Sequence, residues 1–153
     1  MTEAQSDSIR LLADAMLGRL AKWLRLLGYD TRYDNAADDM TLLRIAQAED
    51  RILLTRDGAL SRKRGVRTIF IESQDVQEQI EQVRSIVGPP PDGALTRCPV
   101  CNVRLAAIDK ANVAARVPPY VFQTQDAFHR CPQCDRIYWA ATHVEQMRKL
   151  VDW

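Results

Sequence analysis

The sequence predicts an α/β fold: a parallel sheet with helices on both faces, followed by a small zinc-built unit. Two observations carry that expectation. Over the first 88 residues, short apolar runs alternate with amphipathic stretches, strand then helix, four times over. Beyond a run of three prolines stand two Cys-x-x-Cys pairs, with no cysteine left over. Strands that alternate with helical patterns pair in parallel through right-handed crossovers.

The elements follow in order. Residues 9–13 are mostly apolar and suit a buried strand. Leu17, Leu20, Ala21, Leu24 and Leu27 recur at helical spacing, and Gly28 suits the left-handed position that ends a helix. Residues 31–33 form a short second strand. Asp38 or Asp39 caps a helix running to about Glu49, with Leu42, Leu43, Ile45 and Ala46 as its apolar part. A third strand is expected over 51–55, a helical turn over 60–64, a fourth strand over 66–71 and an amphipathic helix over Val76–Val87. Gly88-Pro89-Pro90-Pro91-Asp92-Gly93 can neither continue a helix nor donate to a ladder, and forms a short stiff linker. The chain therefore divides into 1–88, a linker over 89–94, and a ribbon with a C-terminal helix over 95–153. Within the ribbon, strands are expected over 104–108, 120–124 and 137–139.

A chain of 153 residues with 46% hydrophobic side chains suits one domain, or one of roughly 90 residues with a small satellite. The composition excludes a disordered or fibrous chain. No apolar run approaches the roughly 20 residues that span a bilayer, so no membrane partner is expected. The polar opening MTEAQSDS lacks a secretory pattern, which predicts a soluble, cytoplasmic protein. Charge is uneven, with 13 basic and 15 acidic side chains over 1–96 but 8 and 5 over 97–153. The net charge of +1 neither demands nor excludes a polyanionic partner.

In open parallel sheets, sites gather at the carboxyl ends of the strands. Asp14 follows the first strand, Asp57 lies just beyond the third, and Asp38 and Asp39 open the second helix towards the same edge. If the first and third strands are neighbours, these acids share a crevice. Carboxylates so placed repel one another unless a hard cation such as Mg²⁺ or Mn²⁺ joins them. Each of them singly also suits a helix cap or a turn. After Asp14, Arg19, Lys22 and Arg25 recur three apart as a basic stripe beside Trp23, which suits a nucleic-acid backbone or a solvated helix face.

The knuckles Cys98-Pro99-Val100-Cys101 and Cys131-Pro132-Gln133-Cys134 are the most specific feature of the chain. Two such turns point four thiolates at one centre and complete a closed, structural Zn²⁺ shell. Disulfides are the rival, but they belong to secreted chains. With four sulfur ligands in place, His129 and His143 are not needed by the zinc.

The stretch DAMLGRLAKWLRLLGYDT over 14–31, ILLTRD over 52–57 and the two knuckles together resemble the Mut-seven C-terminal RNase family. The similarity runs from about residue 9 to residue 148 and includes the closing His143-Val144-Glu145-Gln146-Met147. It implies a PIN-like three-layer α/β/α sandwich with a C-terminal zinc ribbon and metal-dependent cleavage of RNA. The implied acids are Asp14, Asp38 or Asp39, and Asp57, with Glu72 or Asp75 as a further acid after the fourth strand. Arg19, Lys22, Arg25 and Arg56 are then expected on backbone phosphates. Arg97, Arg104, Arg116, Arg130 and Arg136, interleaved with Tyr120, Phe122, Phe128 and Tyr138, suit a ribbon that grips RNA. The rival expectation is a non-catalytic RNA- or tRNA-binding adaptor with a degenerate acidic site.

Overall fold

The computed structural model describes residues 9–91, 93 and 95–140. Four parallel strands, β1 (Arg10–Ala13), β2 (Asp30–Tyr33), β3 (Ile52–Thr55) and β4 (Thr68–Phe70), lie in the order β2-β1-β3-β4. The helices between and after them are α1 (Gly18–Leu26), α2 (Asp39–Ala48), α3 (Gly58–Ser61) and α4 (Val76–Val87). Successive strand residues face opposite sides. Leu11, Ala13, Leu54 and Ile69 meet α1 and α4, while Leu12 and Leu53 meet α2 and α3. Both faces of the sheet are thus covered, as the near-continuous apolar strands require. Trp23 packs against the first of these cores.

The chain leaves α4 and turns back across the end of α1. Tyr29, fully buried, donates its hydroxyl to the Gly88 carbonyl, and the Leu95 amide donates to the Leu26 carbonyl at 2.7 Å. Gly28 has φ +109°, and a Cβ there would stand 2.1 Å from the Gly93 carbonyl oxygen. Only glycine lets the linker lie so close.

The ribbon is a three-stranded antiparallel sheet of β5 (Ala106–Ile108), β6 (Phe128–Arg130) and β7 (Ile137–Tyr138) over a core of Val113, Val117 and Phe128. Here the structure corrects the sequence. The segment expected as a strand over 120–124 is a helix, α5 (Pro119–Thr124), because Pro119 presets the first helical φ and the Pro118 carbonyl accepts the Phe122 amide at 3.0 Å. Its Val121 and Phe122 still reach the ribbon core, as a strand's would have. The missing strand falls at β6 instead. The turn expected over 60–64 begins earlier, at α3, because Asp57 caps it. The segment expected as a C-terminal helix, with His143, lies outside the described residues.

The first knuckle rests on β2, an edge strand. The Thr31 amide donates to Asn102 Oδ1 at 3.0 Å, and the Thr31 carbonyl accepts from Arg25 Nε at 2.7 Å. Arg25 Nη1 also donates to the carbonyls of Pro99 at 2.9 Å and Val100 at 3.3 Å. Asn102 Nδ2 donates to Asp30 Oδ1 at 2.8 Å, which also takes Arg51 Nη1 at 2.9 Å. Burial by itself would raise the Asp30 pKa. The bonds from Asn102 and Arg51 outweigh it and hold the carboxyl below its ordinary value.

Gly28→Ala is expected to lower stability by about 2 kcal/mol or more, since it adds both an unfavourable φ and a backbone clash. Urea unfolding with an unchanged midpoint would show that the linker does not hold this approach in solution.

Candidate functional site

Each cysteine knuckle is built the same way. The Cys98 carbonyl accepts the Asn102 amide and the Cys131 carbonyl accepts the Asp135 amide, both at 2.8 Å. The Cys101 and Cys134 amides approach the Sγ of Cys98 and Cys131, both at 3.4 Å. Asn102 and Asp135 both have φ +67°, a left-handed position that Asn and Asp tolerate better than most residues. The two turns bring all four free thiols together, with every Sγ within 4.8 Å of the others. Cys98 and Cys134 are 3.8 Å apart, which is about the edge of a tetrahedron with Zn–S bonds near 2.3 Å. Tyr138 Oη stands 3.2 Å from Cys98 Sγ, where it supports one ligand from outside.

Electrostatics favours a cation here. Burial and the neighbouring sulfurs push the Cys101 thiol up to about 12, whereas the Arg136 amide draws Cys134 down to about 6. Four thiolates at this spacing repel, and a soft divalent ion resolves the conflict. The donor set fits Zn²⁺, and the residues present can hold it.

The second assembly is at the carboxyl edge of the sheet. Asp14, only 5% exposed, accepts the Met16 amide on Oδ1 at 3.0 Å and the Thr55 hydroxyl on Oδ2 at 2.5 Å. The same Thr55 oxygen accepts the Asp57 amide at 2.9 Å. One buried hydroxyl therefore ties the acid after β1 to the loop carrying the acid after β3. Asp57 itself is exposed and uses Oδ1 to cap α3 at Ala59 and Leu60. The sequence signal for Thr55 is its place as the last residue of β3, two before Asp57.

The other expected acids are more dispersed. Asp38 caps α2 through the Thr41 amide at 2.9 Å, a bond that lowers its pKa, and Asp39 follows in the first turn. Glu72 is exposed just beyond β4, and Asp75 caps α4 through the Glu78 amide. Asp34, directly after β2, occupies the same strand-end position as Asp14 and is a further acid at this edge, beyond those expected from the sequence. Among the described residues, the cysteines are the one group of three or more His, Cys, Asp or Glu side chains that converge at metal-binding spacing. A ready-made three-carboxylate cluster is therefore not formed, because capping draws Asp38 and Asp57 to their own helices.

The basic residues separate into two kinds. Arg19 and Lys22 are exposed on α1. Arg25 is buried, and its guanidinium is committed to Thr31, Pro99 and Val100, so it is a structural cation rather than a phosphate contact. Its stripe-mates sit three and six residues earlier on the helix, before the ribbon covers it. Arg56 Nη1 likewise donates to the carbonyls of Ile71 and Ser73, tying the loop after β3 to the end of β4. In the ribbon, Arg97 donates to the Asn102 carbonyl and Arg116 and Arg130 pair with Asp135. These arginines brace the knuckles.

A family model described as Mut7-C RNAse domain matches residues 9–151. No curated protein and no solved structure matches the chain.

The purified chain is expected to carry about one Zn²⁺, measured by elemental analysis alongside thiol titration. Zinc-free protein with four reactive thiols would refute the site. Because the ligands bind as thiolates, protons compete with the metal, so zinc should be retained at neutral pH and released on acidification.

Proposed function

Because the chain belongs to the Mut7-C RNAse domain family, we propose that it is a metal-dependent endoribonuclease centred on Asp14 and Asp57. The observation that carries this reading is the Thr55 hydroxyl, which joins the Asp14 carboxylate to the Asp57 backbone amide at the ends of neighbouring parallel strands. Helices on both faces and acids at the strand ends support a PIN-like sandwich for residues 1–88, with 89–94 as linker and 95–153 as the ribbon unit. Unoxidised thiols placed for zinc suit a reducing compartment, so a cytoplasmic location is part of the reading.

Mg²⁺ or Mn²⁺ bound at this edge supplies Lewis-acid polarisation of a phosphodiester and a more acidic water. Asp14 is held rigidly by Met16 and Thr55 and fixes the position of the charge. Asp57 takes both capping bonds on Oδ1, which leaves Oδ2 for a ligand. Asp38 and Asp39 stand at the start of α2, where they would orient the attacking water. In-line attack on phosphorus would form one P–O bond as the bond to the leaving ribose oxygen breaks, the water giving its proton to solvent and the leaving oxygen taking one from it. Arg19 and Lys22 hold the RNA backbone leading away from Asp14. The ribbon adds an open depression of about 530 Å³ lined by Arg116, Asp135, Arg136, Tyr138 and Trp139, where rings and two cations stand beside one acid that already pairs with Arg116.

A second reading has its own support. Asp38 and Asp57 each already serve as a helix cap, which is what a non-catalytic RNA- or tRNA-binding adaptor would retain.

Asp14→Asn and Asp57→Asn should each abolish cleavage of RNA, as should EDTA. Wild-type rates from either purified variant would refute the assignment, and intact binding without any cleavage by the wild-type chain would favour the adaptor. Phosphate contacts act through counterion release. Replacing Arg19 and Lys22 with Ala should therefore flatten the salt dependence of RNA binding in Ca²⁺ by roughly one unit of slope per lost contact. An unchanged slope would move the RNA path to the ribbon.

A further inference from the structure

The acid site and the zinc site share a strand and a helix. Thr31, fully buried in edge strand β2, has both peptide groups bonded off the sheet, its N–H by Asn102 and its C=O by Arg25. Both partners depend on the first knuckle. Asn102 is the left-handed residue that closes it, and Arg25 is fixed by the Pro99 and Val100 carbonyls within it. Two residues along β2, Tyr33 donates its hydroxyl to the Ala15 carbonyl at 2.9 Å, and the same oxygen stands 2.8 Å from where a Cβ on Gly18 would be. Ala15 follows Asp14 directly, and Gly18 opens α1, the helix that carries Arg25. The knuckle therefore reaches the Asp14 turn by two routes: along β2 through Tyr33, and along α1 from Arg25.

We infer that Asn102 and Arg25 are positioning residues for the acid site, transmitting the zinc ribbon's hold to Asp14. The element with two states is the ribbon, since small zinc units fold with their metal and unfold without it. With the knuckle closed, Thr31 is clamped and Tyr33 pins the turn that presents Asp14. With it open, Arg25 loses its Pro99 and Val100 partners, and the Thr31 amide loses its acceptor. The charge arrangement agrees. Burial lowers the Arg25 pKa, so this cation depends on the Thr31, Pro99 and Val100 carbonyls that receive it.

This inference rests on the reading of Asp14 and Asp57 as a metal site, and the test separates the two. The variant is Asn102→Gly in the full chain, because glycine keeps the left-handed φ of the knuckle while removing both side-chain bonds. The control is Asp135→Gly, a change to glycine at the same φ in the second knuckle, whose side chain bonds Arg116 and Arg130 among the described residues. Both variants should retain zinc by elemental analysis. In Asn102→Gly, the Thr31 amide should exchange faster with solvent, Mn²⁺ followed by electron paramagnetic resonance should bind roughly tenfold more weakly, and kcat should fall with KM for RNA little changed. In Asp135→Gly the Mn²⁺ affinity should stay at the wild-type value. Faster Thr31 exchange with wild-type Mn²⁺ affinity in Asn102→Gly would overturn the inference alone, as would equal weakening in both variants. A wild-type chain that binds no Mn²⁺ would overturn the metal-site reading and the inference together.

Discussion

The peptide group of Thr31 is the constraint around which this chain is arranged. It is fully buried at a sheet edge, so its N–H and C=O have neither a neighbouring strand nor water to bond. An unmet buried peptide group costs on the order of 1–3 kcal/mol, and this residue has two. Arg25 and Asn102 answer both needs, and much else follows from that solution. The linker must turn back over Gly28 to bring the knuckle to β2, and Asp30 takes both Asn102 and Arg51 on one oxygen. Arg10, Arg32 and Arg51 surround Asp30 and Glu49 at the same corner, so the seam is polar and densely bonded rather than a slick apolar contact.

What could be read from the residues was whatever depends on local pattern. The alternation of apolar runs gave the strands and helices, and α4 has the expected limits. The cysteine spacing foretold the convergence of four thiols, because a knuckle is closed by its own few residues. The positions of Asp14 and Asp57 just beyond β1 and β3 were legible since the end of an apolar run is a local signal too. What failed depended on distant partners. Arg25 looks like its exposed neighbours Arg19 and Lys22 until the ribbon, more than 70 residues later, covers it. The segment 120–124 is rich in strand-forming side chains, and two prolines before it decided for a helix. Asn102 has no distinguishing sequence context beyond following a cysteine, yet Asp135 does the same in the other knuckle. Comparing the two knuckles would have marked both positions as left-handed turns, though not what each side chain touches.

The two assemblies use opposite chemistry. Four sulfurs converge at one and could hold zinc, while at the sheet edge the Asp14 carboxylate is buried and Asp57 is exposed. Softness of the donors would keep the proposed metals apart: thiolates select zinc, and carboxylates with water suit magnesium or manganese. On that reading each site could be loaded without competition, provided that neither set of donors strays into the other's site. Asn102 illustrates the care this needs. It is an amide where its twin is a carboxylate, and facing Asp30 a second carboxylate would repel.

The cover over β2 has a consequence for how the chain behaves in company. An uncovered edge strand offers its peptide groups to any extended segment, including the same strand of another copy. The knuckle closes that edge with side chains, which cannot propagate as a ladder does. A chain whose knuckle stood open would present β2 bare, and its first available partner would be another such chain.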